Sequence, residues 1–366
     1  MEDPKSLFAH FLDIEDPRIE RSRLHKLIDI LVIGVLCGAD GWDDIVFVAS
    51  EKKKWLSKFL ELPHGIPSAD TVARVFARIS PPQFSKSFSE WMADVVTLTS
   101  GEVVAIDGKT LRRSFDRAGE KDPIHMVSAW ATGNGVVLGQ IKVDTKSNEI
   151  SAIPKLLKLL DLKGCIVTID AMGCQIEIAE QIVEQGADYC LCLKGNQSNT
   201  QEAVTEYFDT TAVNRENQLE TVDKDHGRLE TRRFSVAAIP DVSEIKKWPH
   251  CRSIAKVESL REFKGKSEGE TRYFLLSTPP NIQVTAKAIR CHWGIENSLH
   301  WVLDVEFDED LSRIRKDASP ENVAALRHVA LNLLKQEKTL KTSIRKKRLK
   351  CAMSNAYLGK VLAGAV

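Results

Sequence analysis

Apolar residues recur at three- and four-residue spacing over residues 1 to about 98, then shift to short alternating runs. "RLHKLIDILVIGVLCGA" and "DDIVFVASEKKKWLSKFLEL" carry the helical spacing. "PHGIPSADTVARVFARISPPQFSKSFSEWMADVV" follows, with Ser68 or Asp70 as a cap and Pro81-Pro82 as a break. This pattern predicts an N-terminal helical domain, either a small bundle or a DNA-binding helix-turn-helix. From Val103 the pattern predicts strands: "VVAID", "HMVSAWAT" and "GVVLGQIKVD", with Gly133-Asn134-Gly135 as a hairpin turn. A helix "NEISAIPKLLKLLDL", a strand "GCIVTID", a helix "QIEIAEQIVEQG" and a strand "ADYCLCLKG" follow. The order implies an α/β fold, a mixed sheet with helices on both faces.

Residues from about 198 to 280 break that rhythm. "QLETVDKDHGRLETRRFSVAAI" and "SIAKVESLREFKGKSEGETRYFLLST" read as strand hairpins, which predicts a β-rich insertion. After Pro279-Pro280 a helix is expected over "TAKAIRCHWGIENSLHWVL", and another over about 320–337. The expected division is 1–98 helical, 99–340 as the main α/β domain with the insertion, and 341–366 as a basic C-terminal segment.

Composition narrows the class without naming a partner. Of 366 residues, 43% are hydrophobic and 28% charged, as in globular proteins. Lys and Arg total 51, balancing 51 Asp and Glu, so net charge neither requires nor excludes a polyanion. Eight cysteines without a CxxC pair suggest reduced thiols and give no zinc motif. No secretory signal and no stretch able to span a bilayer are visible, so a cytoplasmic location is expected.

Two acids share one setting. Asp107 and Asp170 each follow a buried run, "VVAID" and "CIVTID", and each precedes a small-residue turn. Side chains at the carboxyl ends of neighbouring strands converge on one crevice. Paired carboxylates there repel unless a cation balances them, and oxygen ligands suit Mg²⁺. Either aspartate alone reads equally as a cap for its turn. Glu296 adds a third acid: on a regular helix it aligns with His292 and His300 on an apolar stripe with Ile289, Trp293, Leu299 and Leu303. It is expected there as a metal ligand or in a structural ion pair with Arg290 or Lys109. Asp304 and Asp308 are reserve candidates.

"AIDGKTLRRS", "VTIDAMGCQ", "DYCLCLKGNQ", "HGRLETRRF" and "HWGIENSLHWVLDVEFDEDLSRIR" together resemble the H-repeat-associated proteins, insertion-sequence transposases of the DDE class. The resemblance covers nearly the whole chain. It implies a ribonuclease H-like fold whose metal-binding catalytic triad is Asp107, Asp170 and Glu296. It further implies two Mg²⁺ ions (Mn²⁺ able to substitute), DNA strand cleavage and strand transfer at terminal repeats, and a homodimer on DNA. Many such transposases have tyrosine, arginine and lysine seven and four residues before and seven after that glutamate; here these are Ile289, His292 and Leu303.

Around the acids, Lys109, Arg112, Lys194, Asn196, Arg228, Arg232, Arg290 and His292 are candidate DNA contacts. Surface solvation is the competing reading for the cations near Asp107, and a plain polar loop for "LKGNQ". "SIRKKRLK" is either a backbone-binding run or a solvated helix face. Two other functions remain open: a metal-dependent nuclease that cuts without joining, and a DNA-binding relic without catalysis.

Overall fold

The computed structural model describes residues 9–12, 14–17, 24–62, 64–115, 122–144, 148–225, 228–263 and 266–363, excluding the side chains of residues 24–26, 225 and 228. Among these residues the N-terminal third is helical: α1 (Leu24–Leu36), α2 (Trp42–Glu51), α3 (Ala69–Phe76) and α4 (Pro81–Val95). Ser68 caps α3 by accepting from the Thr71 N–H. Helix α4 buries Phe84, Phe88, Trp91 and Met92, so the pair α3–α4 is part of a packed bundle.

Strands β1 (Val103–Thr110), β2 (His125–Ala131) and β3 (Val136–Lys142) form an antiparallel meander. Helix α5 (Glu149–Leu157) then leads to β4 (Ile166–Ile169), and α6 (Ile176–Glu184) to β5 (Asp188–Leu193). Both β4 and β5 run parallel to β1. The order β3-β2-β1-β4-β5 with helices on both faces is ribonuclease H-like. Being covered on both faces explains the unbroken apolar runs: Val103 to Ile106 and all of β4 are buried.

The region read as an insertion opens with α7 (Ser198–Thr210) and then adds β6 (Gln218–Asp225), β7 (Arg228–Ala238), β8 (Ser253–Phe263) and β9 (Lys266–Leu276). These strands do not form a separate body. Strand β9 pairs antiparallel with β5, making one nine-stranded sheet ordered β3-β2-β1-β4-β5-β9-β8-β7-β6. Helix α8 (Ile282–His292), capped by Asn281, covers the junction by packing Ile282, Ala286 and Ile289 on Phe234, Val257 and Phe274.

After α8 the chain turns at Trp293, makes a π-helical turn over Glu296–His300 and continues as α9 (Trp301–Glu306). Helix α10 (Ser319–Gln336) is buried along most of its length between the sheet and the N-terminal helices. There Asn332 bonds both the N–H and the C=O of Val137 on β3, at 2.9 and 2.7 Å.

Helices α11 (Ile344–Met353) and α12 (Asn355–Ala363) close the chain. The basic run in α11 is divided: Lys347 and Arg348 are buried, whereas Arg345, Lys346 and Lys350 are exposed. Lys347 donates to the carbonyls of Leu334 and Glu337, and Arg348 to Val35 while lying over Phe307. No described helix is long and apolar enough to cross a membrane. All eight cysteines are free.

Candidate active site

Asp107 does not end its strand. Strand β1 runs on to Thr110, so residues 107 to 110 alternate between its two faces. Asp107 and Lys109 share the side of Val103 and face the helix that carries Glu296. Gly108 faces α5. Asp170 sits one residue beyond β4, where its Oδ1 accepts from the N–H groups of Met172 and Gly173 at 3.1 and 3.3 Å. The turn thereby fixes the Asp170 carboxyl without help from a side-chain cation.

The acids share one field. Burial pushes the Asp107 carboxyl up to about 7, against the pull of the Gly108 N–H, and Asp170, Glu149 and Glu296 raise it further. Burial likewise raises Asp170, Glu149 adds to that, and Lys194 opposes it. His300 stands 3.5 Å from Asp107 through Nδ1, but burial pushes its imidazole down to about 4, so it brings no charge at neutral pH. A hard divalent cation is what such a set of carboxylate oxygens lacks. Asp107 and Asp170 suit one in chemistry. Among the described residues, however, no three metal-ligating side chains close around a single point.

Glu296 departs from the expected stripe. Ile295, Leu299, Leu303 and Phe307 fill the core, whereas Glu296 is exposed and lines a cleft of about 940 Å³. The turn at Trp293 and the π-helical turn change the angular step per residue, which takes Glu296 off the line of His292 and His300. His292 binds the Thr168 hydroxyl through Nδ1 at 3.0 Å, and burial with Arg272 nearby drives it down to about 4. It ties α8 to β4 as a neutral ring, and that ring nitrogen is engaged by the protein itself.

Other expected contacts also find protein partners. Lys109 is half-buried, with Nζ 2.5 Å from Asp304 and 2.7 Å from Glu309, and Arg327 stands 3.7 Å behind Glu309. The reserve acid Asp304 is therefore held by Lys109. Asp308 occupies a left-handed turn (φ 48°) before Glu309. Arg112 is exposed and pairs with Asp310 at 3.1 Å. Lys194 and Asn196 are exposed at the rim, and Asn196 donates to the Ala171 carbonyl at 2.8 Å, tying its loop to the Asp170 turn. Arg232 pairs with Asp223 and Glu230, and Arg290 with Asp223. The turn at residues 226–227 and the side chain of Arg228 lie outside the described residues.

Glu149 was not among the expected site residues. It begins α5 and holds His125 on β2, with Oε1 2.5 Å from Nε2, while the other ring nitrogen lies 2.8 Å from the Thr110 hydroxyl. This approach to β1 needs Gly108: a Cβ there would stand 2.1 Å from the Glu149 oxygen and 2.4 Å from His125 Nε2. The glycine beside Asp107 was the one available hint, and it does not name its neighbour.

Comparison with known proteins follows the same outline. The family described as Transposase DDE domain matches residues 99–333, and the one described as DDE_Tnp_1-associated matches 8–92. The "Putative transposase YncI" of Escherichia coli O157:H7 is 42% identical, covering 98% of this chain and 95% of that protein. The "H repeat-associated putative transposase YhhI" of Escherichia coli K12 is 40% identical, covering 99% and 98%. A solved piggyBac transposase synaptic complex with hairpin DNA aligns at 12% identity and a TM-score of 0.47, covering 99% of this chain and 81% of that one.

Proposed function

The chain belongs to the DDE transposase family, and from that membership and its acid pocket we propose that it cuts DNA at insertion-sequence ends and joins those ends to target DNA. The observation that carries this reading is the company Asp107 keeps: the parallel pairing of Ile106 with Ile169 brings this half-buried carboxyl alongside Asp170, and Glu149 and Glu296 also act on it. Asp107 and Asp170 would hold divalent metal, with Glu296 completing the catalytic triad. When bound, two Mg²⁺ ions, or Mn²⁺ in their place, would polarise the scissile phosphate and activate the attacking water or 3′-hydroxyl.

The chain's own part is positional. Strand β1 fixes Asp107 from a rigid sheet, and the Met172 and Gly173 N–H groups orient Asp170. The Glu296 carboxylate stands on the wall of the adjoining cleft, where a strand leaving the acids would lie. Lys194 at the rim supplies positive charge facing Asp170. No protein nucleophile is needed, and the assembly that pairs two DNA ends would be a dimer acting in the cytoplasm.

The test is in vitro cleavage and joining of labelled terminal-repeat DNA in Mg²⁺, comparing wild type with Asp170→Asn. The proposal expects both cut and joined products from wild type, and a loss of roughly a hundredfold or more in the variant. Equal activity in the two proteins would refute the role of Asp170. Cut products without joined ones would instead mark a nuclease on the same scaffold.

A further inference from the structure

The four strands beyond β5 present a charged face next to the acid pocket. By alternation and register, Asp223, Glu230, Arg232, Arg261, Glu270 and Arg272 lie on one side of β6 to β9. That side looks toward Trp293, whose ring centre is 4.5 Å from the Arg272 guanidinium carbon and 5.7 Å from that of Arg261. The cleft between them is the one Glu296 lines.

Among the described side chains, each guanidinium here rests on a carboxylate of the protein. Arg232 reaches Asp223 at 2.6 Å and Glu230 at 2.7 Å, and Arg261 reaches Glu230 at 3.0 Å. Arg272 reaches Glu270 at 2.8 Å, while Arg290 comes from α8 to Asp223 at 2.8 Å. These four described guanidiniums share three carboxylates, and Glu268 and Glu296 line the same cleft. A guanidinium fork binds carboxylate and phosphate with the same paired geometry.

We infer that this cleft seats the phosphodiester backbone of DNA beside the bond being cut, and that half-exposed Asp223 holds Arg232 and Arg290 until phosphates displace it, while buried Glu230 keeps Arg232 and Arg261 in place. The inference rests on the DNA-cutting reading above. Three features support it. Exposed ion pairs contribute little net stability, so exchanging Asp223 for a phosphate loses little, and release of counterions from DNA favours the exchange. Stacking on Trp293 keeps Arg261 and Arg272 ordered in the absence of DNA. Lys194 acts electrostatically on both Asp170 and Glu270, so positive charge continues from the acid pocket to the arginines.

Cross-strand pairs can also serve the sheet alone, and the two roles differ in what DNA reports. The experiment is fluorescence anisotropy of the full chain with a labelled DNA duplex over a range of salt. Asp223→Asn should tighten binding about two- to fivefold, since it removes the competitor from Arg232 and Arg290. Glu90→Gln, which removes an exposed partner of Lys86 on α4, is the control for net charge and should change affinity less. Arg261→Ala should weaken binding and lower the slope of log affinity against log salt by about 0.9. Should Arg261→Ala unfold, Arg290→Gln on the exposed side of α8 gives the same readout. Asp223→Asn matching the control, with an unchanged slope in the arginine variant, overturns the inference while DNA binding itself stands. Wild type that binds no DNA overturns both the inference and the reading beneath it.

Discussion

The acid pocket and the arginine face adjoin on one sheet, and they treat charge in opposite ways. In the pocket, burial raises both Asp107 and Asp170; Asp170, Glu149 and Glu296 raise Asp107 further and Glu149 raises Asp170, while the Lys109 ammonium is turned to Asp304 and Glu309. On the face, each arginine has an acid within 3.0 Å, and several of these pairs are open to solvent. Depth makes the difference. A buried carboxylate set short of cations attracts one from outside, whereas exposed pairs are weak enough to trade partners. On the proposed function, the first region takes a cation and the second an anion.

Lys109 supplies the sharpest break between the two regimes, because its pairs are deep. Lys109→Met would leave the buried Glu309 with Arg327 alone, and stability measured by urea denaturation should fall by up to about 3–5 kcal/mol. A fall under 1 kcal/mol would mean that Lys109 behaves like the surface arginines. Gly108→Ala comes next. Its methyl would press on Glu149 and His125 at the back of Asp107, with an expected loss of about 1–2 kcal/mol by the same assay. No loss would show that α5 yields easily and that Glu149 is not fixed beside β1.

On the arginine face, Asp223→Asn should change stability by less than about 1 kcal/mol, since Asp223 is half-exposed. A larger loss would make the face structural. A pH dependence is expected from Glu337, which burial would raise but which Thr339, Tyr357 and Lys347 pull down to about 2. Its folded value lies below the unfolded one, so its contribution is complete above about pH 4.5 and disappears as pH falls toward 2. Wild type should therefore lose more stability over that interval than Glu337→Gln, as acid titrations of the unfolding midpoint will show.

What the sequence disclosed followed from local pattern. Unbroken apolar runs before Asp107 and Asp170 marked two covered parallel strands, and their neighbouring positions in one sheet followed. Glu296 was identifiable as an acid within a helix, but its exposure was not, since an even 3.6-residue step does not foresee a π-helical turn. Contacts remote in sequence were also hidden: Lys109 meets partners 195 and 200 residues away. Lys347 and Arg348 looked like surface charge because nothing in "SIRKKRLK" reveals the carbonyls of Leu334 and Val35 that bury them. The β6–β9 hairpins were legible as strands, yet their union with the main sheet depends on β9 meeting β5, a pairing no local signal encodes.

The proposal beneath all of this is that Asp107, Asp170 and Glu296 together hold the divalent ions, the two aspartates flanking them and Glu296 binding the second. Titrating Mn²⁺ into wild type, Asp107→Asn, Asp170→Asn and Glu296→Gln, followed by electron paramagnetic resonance, tests it without DNA. The account predicts saturable binding in wild type and a weakening of roughly tenfold or more in each variant. Equal affinity across the four proteins would contradict it.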